Sequence, residues 1–218
     1  MATPLDQQLA PTEGWQQPTQ QRLAPMTKAE SNYFQRLISF FIVKVFKVKA
    51  PNLFMTGLRN TRVFLPMLIY NQQMMPRGEC DRRDTELAIL RVAWRCRSHY
   101  EWGQHVEIGL RAGLEADEIS RVPLGPDAAG WTPLQAAIIR AVDELHEHKI
   151  VSDETWQQLS ARYQARQLFE LLAVIQHYSG LAGLLNSFGV ELDQPIADAL
   201  ANTPIHTQAA AKAGLEQE

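Results

Sequence analysis

Apolar residues recur at helical spacing along most of the chain and nowhere alternate for long enough to make a strand. From Ser31 the pattern is apolar and helical to about Lys49, where Ala50-Pro51 stops it because the residue before a proline avoids the α region. A short helix over 52–59 and another over about 61–75 follow. The polar stretch MMPRGECDRRD, 74–84, reads as a connection, and Asp84 or Thr85 can cap a helix through ELAILRVAWRC whose buried stripe is Leu87, Leu90 and Trp94. The next helix starts at Ser98, with Trp102, Val106, Gly109 and Leu110 on one side. Glu101, His105 and Ile108 form a neighbouring face, and Gly113 is placed to close the helix in the left-handed conformation. One more short helix, 115–122, precedes the loop PLGPDAAG. Thr132-Pro133 supplies an N-cap followed by proline at the first helical position, starting a helix to about His148. Ser152 opens another to about Tyr163, and a long helical stretch runs from about Ala165 to Phe188 and ends at Gly189. Gly180 and Gly183 inside it predict close backbone packing or a break, since glycine weakens an exposed helix. The fold class that follows is all-α.

Residues 1–30, rich in Gln, Pro and Thr, are expected to form a disordered or extended arm, followed by a single domain over 31–200 and a tail over 201–218. The segments AILRVA, 88–93, and AIIRAV, 137–142, echo each other, which helical phasing alone can produce. At 218 residues the chain can bury a substantial core. Its net charge of −3, without a basic stripe, makes nucleic acid an unexpected partner. Two cysteines make no disulfide framework and the N-terminus lacks a signal-peptide layout, so the expected compartment is the cytoplasm. The most apolar segment, LISFFIVKVF at 37–46, is too short and too interrupted by lysine to span a membrane. It is expected in the core or at a subunit contact, with a place on a membrane surface as the lesser reading.

The stretch SHYEWGQH, 98–105, carries the candidate chemistry. Ser98 and Glu101 match the S-x-x-E capping box, in which both side chains satisfy orphan amides at a helix start. The same helix sets Glu101 and His105 four residues apart on one face, and a tight turn at Arg97 would bring Glu86 of the preceding helix opposite His105. Both readings of Glu101 stay open at this point, as does a satisfied core histidine at His105 and a dipole-complementing role for Glu86. Two carboxyls and an imidazole beside Tyr100 and Trp102 suit proton transfer near neutral pH. Glu86, Glu101 and His105 are thin as zinc ligands, so no metal site is expected. His146 and His148 point to different sides of a helix and suit a solvated C-terminal turn, and core packing is expected for His177. Cys96 lies near a helix end, where thiolate is disfavoured; Cys80, among Arg77, Arg82 and Arg83, is the more reactive candidate, and neither belongs to a C-x-x-C.

ELAILRVAWRCRSHYEWGQHVEIGLRAGLEADEISRV, with GPDAAGW, AIIRAVDELHEHKIVSDETW and NSFGVELD, resembles the carboxymuconolactone decarboxylase family, which includes the alkyl hydroperoxidase D-like peroxidases. The likeness covers about residues 50–195. It implies a helical bundle built from hairpins, here with an N-terminal helical extension, and a homo-oligomer, a trimer or hexamer, with a dimer also possible. It places the site on the helix pair holding Glu86 and His105. The peroxidase branch has a glutamate, then C-x-x-C, then a histidine; its two cysteine positions fall here on Ser98 and Glu101, which leaves no dithiol at that site. The decarboxylase branch needs no cofactor. The resemblance therefore implies cofactor-free acid–base chemistry by Glu86, Glu101 and His105 on a small lactone or carboxylic acid, with Ser98, Tyr100 and Trp102 as binding residues. A peroxiredoxin-like antioxidant using Cys80 or Cys96 and a non-catalytic binding or scaffold member are the alternatives.

Overall fold

Capping chemistry fixes most helix boundaries in the computed structural model, which describes residues 9–46, 52–75 and 77–201. The helices are α1 (Tyr33–Phe46), α2 (Asn52–Gly57) running into a 3-10 turn at Leu58–Asn60, α3 (Thr61–Met74), α4 (Arg82–Arg95) and α5 (His99–Arg111). They continue as α6 (Ala116–Arg121), α7 (Pro133–His148), α8 (Asp153–Ser160), α9 (Ala165–Phe188) and α10 (Gln194–Ala201), with no strand among the described residues. Thr132 caps α7 in a reciprocal box with Gln135, and Ser152 accepts from Thr155 N at the start of α8, as their sequence signals predict. The cap of α4 is Asp81 rather than Asp84 or Thr85: its side chain accepts from Arg83 N at 2.8 Å. Asp84 instead takes the Tyr163 hydroxyl at 2.5 Å, and Thr85 donates to Arg82 O.

Helix α4 is the central element. It packs on α5, α7 and α9, and Leu87, Ala88, Ile89, Leu90, Val92 and Ala93 are all buried. Arg91, also buried, locks it to α7 through two hydrogen bonds to Asp143, at 2.7 and 2.8 Å, and donates to Val122 O. A buried guanidinium is tolerated here because its donors have geometrically matched acceptors. The α4–α5 hairpin turns at Arg97, which takes the left-handed conformation at φ 52°.

Two expectations change, that for α1 and that for the α9 glycines. Helix α1 is not in the core: Tyr33, Phe34, Phe40 and Phe41 are more than half exposed. Its expected end at Lys49 lies outside the described residues. Helix α9 runs unbroken through Gly180 and Gly183, and a Cβ added at either would meet nothing within 4 Å, so neither serves a close approach within the chain. The arm is expected over 1–30; its described part, from Leu9 onward, has no helix and lies draped on the hairpin. Leu9 is buried and its carbonyl accepts from Trp94 Nε1, Gln16 N donates to Arg97 O, and Arg97 reaches Glu13 and Gln16. The tail from 202 lies outside the described residues. Helix α9 is long and apolar enough to cross a membrane by length and composition, but it is a central packing element, burying Leu171, Val174, Ile175 and Ala182.

Candidate active site

Close approach of α4 and α5 builds the site. At Gly109, one turn beyond His105, an added Cβ would lie 3.0 Å from Leu114, 3.4 Å from Leu90 and 3.9 Å from Glu86 Cβ, so glycine there permits the two helices to meet. One turn back, His105 Nδ1 and Glu86 Oε2 are 2.6 Å apart, a short charge-assisted hydrogen bond that places the imidazole proton on Nδ1. Glu86 is fully buried. Its other oxygen, Oε1, lies 2.5 Å from Arg82 Nη2 one turn earlier on α4, an ion-pair contact without hydrogen-bond alignment. His105 Nε2 has no hydrogen-bond partner among the described residues, and the ring retains 7% exposure. That nitrogen is the free atom of the pair.

Glu101, one turn before His105, is 2% exposed, and neither carboxyl oxygen has a hydrogen-bond partner. Burial pushes its pKa well above the usual carboxylate range, because an unpaired charge is costly away from water. The site therefore holds two carboxyls in different environments: Glu86 with a guanidinium and an imidazole against it, Glu101 with neither. The capping-box reading fails, since the Ser98 hydroxyl makes no cap bond and is itself buried without a partner. Ser98→Ala should accordingly change unfolding free energy by less than about 0.5 kcal/mol, where loss of a working cap costs about 1 kcal/mol; urea denaturation measures the difference.

The sequence-derived binding residues separate. Tyr100 faces away, donating its hydroxyl to Asp193 Oδ2 at 2.9 Å and packing with Leu185 and Val190. Trp102 is a fully buried core residue beside Leu87 and Leu90, its ring 5.8 Å from that of Trp15 in the arm. The residue that sequence reasoning missed is Tyr178 of α9. Its ring stands edge-on to His105 with centroids 4.9 Å apart, and burial followed by the fields of Glu86 and Glu101 pushes its phenol pKa up. Its hydroxyl donates to Asn71 Oδ1 at 3.3 Å. His177, half-buried, packs against Tyr70 and Tyr178.

Neither cysteine is activated. Cys80 is buried rather than loop-exposed, donates its thiol to Gln167 O at 3.2 Å, and is pushed up to about 12 by burial and by Glu170. Cys96 is pushed up to about 12 by burial and by Glu101. It lies 3.9 Å from His146 Nδ1, and His146 is thus half-buried rather than a fully solvated end-of-helix residue. No group of three or more His, Cys, Asp or Glu among the described residues is arranged to hold a metal ion. Two surface hollows, of about 420 and 370 Å³, lie away from the Glu86–His105 pair, the first around Trp156 and Phe169 and the second around Arg95 and Arg140. The chemistry, not the concavity, marks the site.

Residues 63–144, which span this hairpin, match the carboxymuconolactone decarboxylase family. This match is to the family that the sequence resembles, and it covers the α4–α5 hairpin with its flanking helices. Its fold is similar to the alkylhydroperoxidase AhpD core of an uncharacterized peroxidase-related protein from Ralstonia eutropha JMP134 (TM-score 0.69, 14% identity, covering 80% of this chain and 95% of that one). An uncharacterized peroxidase-related protein from Silicibacter sp. TM1040 is similar at TM-score 0.68 and 8% identity, covering 83% and 97%. The apo debrominase Bmp8 is similar at 0.66 and 10%, covering 85% and 98%. No curated protein matches the sequence. This chain carries Ser98 and Glu101 where the resemblance places the two cysteines of the peroxidase branch, so that position offers no disulfide chemistry.

Proposed function

We propose that the protein is a cofactor-free acid–base enzyme acting on a small lactone or carboxylic acid, with decarboxylation as the reaction its groups suit best. The observation that carries this reading is the unlike pair of carboxyls on the hairpin: Glu86 bonded to His105, and Glu101, one turn before His105 on α5, buried without a partner. Glu101, held neutral by burial, has a proton to give; His105 Nε2, its tautomer set by Glu86, has a lone pair to take one. In a decarboxylation the bond from carbon to the leaving carboxylate breaks, carbon dioxide departs, and the electron pair left on carbon takes the Glu101 proton. His105 Nε2 then takes a proton from solvent and passes it to the Glu101 carboxylate, which restores both groups. Homo-oligomerisation belongs to the same proposal, supported by the exposed apolar side chains Phe169 and Leu184 on α9.

A thermal-shift screen of lactones and aromatic carboxylic acids, followed by turnover assays on each hit, tests it. Stabilisation of the wild type that His105→Ala abolishes, with product formation, is the expected result. The near-complete burial of Glu101 and His105 favours a second reading, a non-catalytic member, and hits without turnover would establish that one. A thiol mechanism has less support, because a thiol at about 12 is almost entirely protonated at neutral pH. A Cys80→Ser, Cys96→Ser double variant is expected to retain full turnover. The wild-type thiols should also react with iodoacetamide at pH 7.5 more than tenfold slower than a free cysteine of pKa about 8.5; mass spectrometry of the time course checks this.

A further inference from the structure

Helix α1 is mounted the wrong way round for a soluble amphipathic helix. Its polar and smaller positions face the protein: Gln35 Nε2 donates to Leu58 O at 3.0 Å, Ser39 Oγ meets the Met55 sulfur at 3.6 Å, and Ile38 packs on the cluster of Met26, Leu58 and Phe64. The other side holds Tyr33 (83% exposed), Phe34, Leu37, Phe40 (60% exposed) and Phe41, together with exposed Lys44. At 100° per residue these six positions fall within an arc of about 120°. The surrounding sequence has one sign of charge. Residues 31–78 carry seven of the chain's 21 Lys and Arg and none of its 24 Asp and Glu, although the whole chain is net negative.

We propose that this face docks on a membrane surface containing anionic lipid, with α1 lying in the plane of the interface. Aromatic and leucine side chains suit the boundary between headgroups and acyl chains, and lysines beside them are drawn to anionic headgroups. The charge distribution favours this occupant over a second copy, because a two-fold contact through the same face would set two acid-free, basic segments against each other. The length of α1, 14 residues, also fits lying on a bilayer rather than crossing it.

Co-sedimentation of the full chain with liposomes tests the proposal, using phosphatidylcholine alone and phosphatidylcholine with 30% phosphatidylglycerol. The wild type is expected to bind the anionic vesicles at least tenfold more strongly than the neutral ones, with binding weakened by 0.5 M salt. Phe40→Ser with Phe41→Ser should reduce anionic binding at least tenfold while the melting temperature and circular dichroism stay as in the wild type, both side chains being exposed. Lys44→Glu should weaken binding and steepen its salt dependence less. Equal binding to both vesicles, no binding, or unchanged binding by the double variant would overturn the proposal. So would a stable wild-type oligomer that the double variant dissociates, which would assign the face to another copy of the chain.

Discussion

His105→Ala and Glu86→Gln should each lower turnover of the lactone or carboxylic acid identified by screening by roughly 10²–10⁴-fold, the usual contribution of positioned acid–base catalysis. His105 supplies the nitrogen that exchanges protons, so its removal leaves no group at that point of the hairpin to return one to Glu101. Glu86 acts through His105: the 2.6 Å bond to Nδ1 fixes the orientation of the ring and makes Nε2 the nitrogen that exchanges protons. An amide at position 86 can donate to Nδ1 and so invert the tautomer, which is why the isosteric change should cost nearly as much as deleting the ring. It should also lower kcat rather than raise KM, because the lost interaction serves the transition state. Steady-state kinetics of both variants, with circular dichroism to confirm folding, decide the point. Unchanged kcat in either would remove that residue from the mechanism.

The second large effect is on stability. Glu101 is protonated in the folded protein to a pH well above the point, about 4.3, where an unfolded glutamate loses its proton. Between those two values the folded state binds more protons than the unfolded one, so stability falls as pH rises, by up to about 1.4 kcal/mol per pH unit from this group alone. Below the unfolded value the contribution is complete, and above the folded value the loss has levelled off. Glu101→Gln removes the proton linkage while keeping the shape. The variant should therefore match or fall slightly below the wild type at pH 5 and exceed it at pH 8. Urea unfolding of both proteins across pH 5–8 measures the crossover, and parallel curves would mean that Glu101 carries no linked proton.

Much of this architecture was legible from residues. Thr132-Pro133, Ser152, Gly113 and Gly189 are local signals whose physics acts within one helical turn, and the helices start or stop where those signals lie. The Glu86–His105 juxtaposition was legible because a hairpin with a tight turn brings the start of one helix near the second turn of the next. Asp81 and Asp84 are chemically alike, and only the path of the chain decides which one caps. Glu101 fitted a cap and a buried acid equally well, since composition says nothing about which side of a helix α9 covers. Tyr178 was illegible as a site residue because its approach to His105 depends on how α9 crosses the hairpin, a contact between segments remote in sequence. The core placement of α1 failed for a related reason, while its alternative at a subunit contact stays open: apolar periodicity marks a face that avoids water without naming what covers it.

The central claim is that one protein interior holds Glu101 neutral beside an imidazole whose partner is a different carboxylate. It is tested most directly by following the side-chain carboxyl ¹³C resonance of Glu101 through a pH titration of the labelled protein, assigned by its disappearance in Glu101→Gln. A resonance still at its protonated position at pH 7 is the predicted result. A carboxylate shift already reached by pH 5 would contradict it.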